Sequence, residues 1–157
     1  MGFESYGESI LPMDGFLKMT RVLAVDPGEK RLGLAISDLS GTIANPLTVI
    51  NHISRPTDAQ KIIEVVQETQ AELIIIGQAL DVDGQPGPQA RKSERLAETI
   101  QSITDVPVVL WDESHSTDMA QEARRKMGVN RKKRKGHLDD IAATVILQSY
   151  LDAQRND

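Results

Sequence analysis

Three acidic positions in this sequence have the residue types and settings that a divalent cation uses. Asp26 ends the apolar run Val22-Leu23-Ala24-Val25 and precedes Pro27-Gly28. A charge at the end of so apolar a strand is costly unless it is paired or binds a cation. An Asx-type turn closing the strand is the simpler alternative for one Asp before Pro-Gly. Asp112 and Glu113 end a second apolar run, Val106 to Trp111. Adjacent carboxylates repel, so one of them needs a cation or a proton. Successive strand residues face opposite ways, so only one of the two can share a site with Asp26. The alternative is an acidic cluster favouring the positive end of the next helix. Asp139 and Asp140 open the final helical pattern, where the dipole favours carboxylates in any case. Asp139 heads a stripe through Ala142, Ala143, Ile146 and Tyr150, and Asp140 one through Ala143, Leu147 and Leu151. Periodicity does not choose between them.

Together these carboxylates suit magnesium or manganese, which prefer oxygen ligands and retain water. Directly before the third group lies a strongly basic segment. Gln121 to His137 holds eight Lys and Arg against Glu122 alone, a local +7, whereas the remainder of the chain carries −12. A phosphate responds to the local field, so the overall charge of −5 does not exclude nucleic acid. Metal to activate water and cations to hold phosphate are the parts phosphodiester hydrolysis needs. Other chemistries lack their motifs. His52, His115 and His137 have no zinc-ligand spacing, there is no cysteine, and neither a nucleophile elbow nor a Walker loop is present. Aromatic residues make up 3% of the chain, too few for a base-stacking platform, so Trp111 is expected in the core.

The elements that must position these groups follow from pattern. Residues 1–20 lack periodicity and read as a poorly ordered appendage, with Met1, Met13 or Met19 as the start. The segment lacks the features of a signal peptide, and no apolar run is long enough to span a bilayer. These features and the lack of cysteine favour the cytoplasm. One domain, 21–157, is expected. Val22–Val25, Leu32–Ser37 and Ile43–Ile50 predict three strands in an antiparallel meander. Thr57 and Gln60 fit a capping box for a helix whose buried face is Ile62, Ile63, Val65 and Val66. Leu73–Gly77 predicts a strand covered on both faces. A helix over Gln89–Ser102, a fifth strand over Val106–Trp111, a helix from Thr117 to Gly128 and a last helix over Leu138–Gln154 complete the order βββαβαβαα. That order predicts an α/β fold, a mixed sheet with helices on both faces.

At these residues the chain resembles the YqgF-like family of pre-16S rRNA nucleases and RuvX-type Holliday-junction resolvases. The resemblance covers about Arg21 to Asp152. It is carried by Val25-Asp26-Pro27-Gly28-Glu29-Lys30-Arg31-Leu32-Gly33, by Asp83-Gly84 and Gly87-Pro88, by Val108 to Glu113, by Val129 to Lys135, and by Asp139 to Leu151. It implies a ribonuclease H-like fold and an acidic triad of Asp26, Glu113 and Asp139, both catalytic and metal-binding. It implies Lys30, Arg31, Arg131, Lys132, Lys133, Arg134 and Lys135 as nucleic-acid contacts, in a monomer or homodimer with no membrane role. The implied substrate is the 5′ end of pre-16S rRNA in ribosome biogenesis, with branched DNA the alternative. Two departures stand out. Gln78-Ala79 replaces the family's Leu-Pro, and Ser114-His115 follows Glu113 where the family has Arg. They motivate a further alternative, a binding module of the same fold without catalysis. A half-molecule of an actin-like ATPase is disfavoured because 157 residues supply one lobe where such enzymes need two.

Overall fold

The computed structural model describes residues 20–80, 84–112 and 138–155. Five strands form one sheet: β1 (Val22–Pro27), β2 (Arg31–Ser37), β3 (Ala44–Asn51), β4 (Leu73–Gln78) and β5 (Val108–Asp112). Three helices join them: α1 (Arg55–Thr69), α2 (Pro88–Gln101) and α3 (Leu138–Arg155). The sheet order is β3-β2-β1-β4-β5. The first three strands pair antiparallel, while β1, β4 and β5 run parallel. This is the mixed sheet expected from three closely spaced strands followed by β–α alternation. The expected helix over Thr117–Gly128 lies outside the described residues.

The sheet is covered on both faces, which explains the uninterrupted apolar runs Val22–Val25 in β1 and Leu73–Ile76 in β4. On one face, Leu23, Val25, Leu34, Ile74 and Ile76 pack against Ala59, Ile62 and Val66 of α1 and Leu96, Ala97 and Ile100 of α2. On the other, Val22, Ala24, Ala35 and Ile75 pack against Ala143, Ile146, Leu147 and Leu151 of α3. The alternation along β1 therefore assigns each of its residues to the α1/α2 face or the α3 face.

Three boundaries differ from the sequence reading, each for a local reason. Helix α1 is capped by Ser54, whose Oγ accepts from the Thr57 amide at 3.3 Å. Thr57 is thus inside the first turn rather than before it, and Pro56 occupies an opening position where its missing N–H costs nothing. The third strand starts at Ala44, not Ile43, because Ile43 remains 55% exposed and its amide bonds to Asp38 Oδ1. The fifth strand starts at Val108. The Val106 amide turns back to Thr104 Oγ1, and Pro107 has no N–H to offer a ladder.

Candidate active site

Asp26 is the penultimate residue of β1, the central strand. Val22 and Ala24 belong to the α3 cluster, so alternation puts Asp26 on the α3 face. Its partner on β2 is Gly33. On the other side, the β1–β4 register matches Val25 with Ile76, and its next step matches Asp26 with Gly77. Gly77 is in turn matched with Trp111 on β5. The carboxylate is therefore flanked on both neighbouring strands by residues without side chains. The first side chain along the β5 side of this row is the Trp111 indole, two strands or about 10 Å away. Trp111 is tied to α3 by its Nε1, which donates to Ser149 Oγ at 3.2 Å, and by an edge-to-face contact with Tyr150 at 5.2 Å between ring centroids. It packs partly buried against the α3 cluster, in keeping with the scarcity of aromatics in the sequence.

The same alternation separates Asp112 from Asp26. Leu110 and Val108 pack on the α1/α2 face, and Asp112 shares their parity. Glu113 lies outside the described residues, as do Arg131, Lys132, Lys133, Arg134 and Lys135. Asp139 and Asp140 are in the first turn of α3. Among the described residues no group of three or more potential ligands is gathered. Asp26 is the one member of the expected triad whose side chain is described, and it is half-buried and engaged in an interaction.

The β1–β2 turn next to Asp26 is built tightly. The Gly28 amide donates to the Arg31 carbonyl at 2.9 Å. A Cβ at position 28 would stand 2.5 Å from that carbonyl oxygen, so only glycine closes the turn. Lys30, at the tip, is exposed, and Arg31 is half-buried. The turn is anchored to the end of β3 by the His52 amide, which donates to the Lys30 carbonyl at 2.9 Å.

Gln78, one of the two departures from the family pattern, faces α2. Its Nε2 donates to Glu94 Oε2 at 2.9 Å, and next to it Ser93 Oγ donates to the Gly77 carbonyl at 2.8 Å. The pair docks α2 against the end of β4 on the face opposite Asp26.

A feature that sequence reasoning misses lies on that same α1/α2 face. A cleft of about 240 Å³ is lined by Pro27, Gly28, Leu32, His52, Arg55 and Lys92 among others. At its edge Asp58, 2% exposed, accepts from the Ile53 amide at 3.0 Å and from His52 Nδ1 at 2.5 Å. Its sequence signal is weak because a carboxylate in a helix's first turn has an ordinary explanation in the helix dipole.

The family model described as "RuvX: Holliday junction resolvase" matches residues 20–153. The chain belongs to the RuvX family. Relatives of this RuvX chain include one from Thermoanaerobacter pseudethanolicus, 41% identical over 137 residues, covering 87% of this chain and 99% of that one. Another, from Chloroflexus aurantiacus, is 39% identical over 135 residues, covering 86% and 88%. Both are named "Putative pre-16S rRNA nuclease". Among solved structures, Thermus thermophilus RuvC in complex with Holliday junction substrate superposes with a TM-score of 0.60 at 16% identity. It covers 87% of this chain and 96% of RuvC. The likeness fixes the fold as ribonuclease H-like. Family and relatives place the RuvX chain among nucleases, enzymes that hydrolyse phosphodiester bonds.

Proposed function

We propose that this RuvX-family chain is a divalent-metal-dependent nuclease acting on the 5′ end of pre-16S rRNA in the cytoplasm. Asp26, Glu113 and Asp139 are its metal ligands, and magnesium or manganese is the metal. The observation that carries the reading is the setting of Asp26. It is a carboxylate near the carboxyl end of the central strand, flanked by Gly33 and Gly77, on the face covered by the helix that contains Asp139. Hard oxygen donors in that setting fit magnesium or manganese. When bound, such an ion supplies an activated water and positive charge at the phosphate.

The chain's own residues do the rest. Asp26 orients the site from a strand fixed on both sides by its ladders. Alternation on β5, with Trp111 on the face of Asp26 and Asp112 on the other, supports Glu113 rather than Asp112 as the proposed second ligand. Asp139 is taken as the third by the family resemblance. Lys30 and Arg31 on the β1–β2 turn, with Arg131 to Lys135, hold the phosphate backbone, which positions a strand without reading its sequence. A four-way DNA junction is the second candidate substrate, favoured by the family's description.

The test is one assay series with the full chain, in magnesium, in manganese and in chelator. It presents a pre-16S rRNA 5′ fragment and a four-way DNA junction in parallel. Metal-dependent cleavage of the rRNA fragment is expected. Outer-sphere partners of metals are worth about 10–100-fold, so loss of a direct ligand in Asp26→Asn is expected to cost more than that. Cleavage of the junction alone moves the substrate to DNA. If neither is cleaved yet both are bound, the chain is a binding module. Wild-type turnover in Asp26→Asn removes Asp26 from the site.

A further inference from the structure

The cleft on the α1/α2 face has no part in the metal site, yet it opens beside the same turn. Its walls are of two kinds. Pro27, Leu32 and Leu96 are apolar; Arg55, Lys92 and His52 are cationic or hydrogen-bonding. The lining contains one carboxylate, Asp58, and both of its oxygens are taken, Oδ1 by the Ile53 amide and Oδ2 by His52. Lys92 Nζ reaches only the Gly28 carbonyl, at 3.3 Å. Among the described residues neither Arg55 nor Lys92 has a carboxylate partner. Two cations unpaired with any carboxylate among the described residues thus stand over an apolar floor. His52 is pinned through Nδ1, and Nε2 is the ring nitrogen left for a ligand.

We propose that this cleft binds the sugar-phosphate unit of one nucleotide, with phosphate on Arg55 and Lys92, a sugar hydroxyl donating to His52 Nε2, and the sugar ring against Pro27, Leu32 and Leu96. Size, charge and polarity agree. A water takes about 30 Å³, so about 240 Å³ exceeds a bare phosphate and is smaller than the sites of about 300 Å³ and up that enclose whole drug-sized ligands. An anion without an apolar part would leave the floor unused, and an apolar ligand would strand both cations. Location supplies the functional link. Gly28 lines the cleft two residues after Asp26, a chain distance of at most about 7 Å. A strand with one phosphate at Asp26 can therefore place a neighbouring nucleotide in the cleft across the sheet's end. In that form the inference deepens the nuclease reading; a free nucleotide held in the same cleft does not depend on it.

The test uses the full chain and binding rather than turnover. Inorganic phosphate, adenosine 5′-monophosphate and a short single-stranded oligonucleotide are titrated at low salt, followed by calorimetry and by the His52 ring resonances. Adenosine monophosphate is expected to bind more tightly than phosphate and to shift His52. Arg55→Gln combined with Lys92→Gln is expected to weaken it at least about 10-fold, the size of removing one charge-assisted hydrogen bond. Both positions are at least partly exposed, so the double variant is expected to keep the wild-type melting curve; His52→Gln is a second variant at the surface. An equal loss for the oligonucleotide assigns the cleft to the bound strand. A loss for the mononucleotide alone assigns it to free nucleotide. Unchanged affinity for both in the double variant and in His52→Gln, or no measurable mononucleotide binding to wild type with unchanged oligonucleotide affinity in the variants, overturns the proposal. Because no cleavage is read, an inactive wild type would defeat the nuclease reading without touching this one.

Discussion

Asp26 on β1 stands directly across the antiparallel ladder from Gly33 on β2, and both belong to the face that α3 covers. Opposed residues in such a ladder have Cα atoms about 4.5–5.5 Å apart. Any side chain at position 33 would project beside the carboxylate. If that space receives metal or phosphate, Gly33→Ala should lower turnover at least about 10-fold. The methyl group itself, added to a packed region, costs at most about 1–3 kcal/mol. Turnover and melting temperature measured on the same preparation separate the two effects. A variant that melts lower but cleaves normally would show the space to be structural.

The start of α1 gives a prediction about stability alone. Ser54 Oγ accepts from the Thr57 amide and donates to Thr57 Oγ1 at 2.9 Å. Ser54→Ala is expected to destabilise the fold by about 1 kcal/mol, the usual worth of an N-cap. Thr57→Ala should cost less, because the Thr57 hydroxyl only accepts from the cap. Urea midpoints for the two variants rank them. The reverse order would restore Thr57 as the cap suggested by its spacing to Gln60.

Helix starts of this kind mark where sequence legibility ends. β1 and β4 are the most legible strands because burial on both faces leaves uninterrupted apolar runs, as in Leu73 to Ile76, whereas β3 and β5 are only partly buried. Boundaries are less so, since Thr57-x-x-Gln60 matches a cap as well as Ser54 does, and only the backbone decides. That Asp112 lies on the face away from Asp26 is not legible from spacing and needs the face of Trp111, which its contacts with Ser149 and Tyr150 supply. No spacing rule joins His52 and Asp58, whose meeting depends on the bend between β3 and α1. Gln78 reads in the sequence as a departure touching the chemistry, but its bond to Glu94 is on the other face.

Acid pH should reveal the turn after β2. Backbone amides of Thr42 and then Ile43, with the Ser40 hydroxyl, hold the Asp38 carboxyl below its ordinary value. A carboxyl depressed in the folded state stabilises the fold fully above its unfolded value of about 3.9 and loses that contribution as pH falls through the lower folded value. Asp38→Asn should therefore be less stable than wild type at pH 7, with the gap closing below about pH 4. Because the group is near the surface, the effect is expected to be small. Urea denaturation of both proteins at pH 7, 5 and 3 measures it, and a gap that persists unchanged at pH 3 would assign it to something other than the charge.

The basic segment offers the sharpest test of the substrate class. Arg131, Lys132, Lys133, Arg134 and Lys135 immediately precede the helix that contains Asp139. Cations so placed act by displacing counterions from phosphate, which makes affinity fall steeply with salt. Neutralising Lys132, Lys133 and Arg134 together should weaken binding of an Asp26→Asn protein to RNA. It should also reduce the slope of log affinity against log salt by about 2–3, close to one for each phosphate no longer neutralised. The loss should be equal across sequences, because phosphate contacts position a strand and base contacts specify it. The remainder of the chain, at −12, discourages binding elsewhere. Binding isotherms at four salt concentrations, with two unrelated sequences, give the slope and the uniformity in one experiment. An unchanged slope would show these cations to be solvated, and the strand would then have to be held by Lys30, Arg31 and the cleft at Arg55 and Lys92 alone.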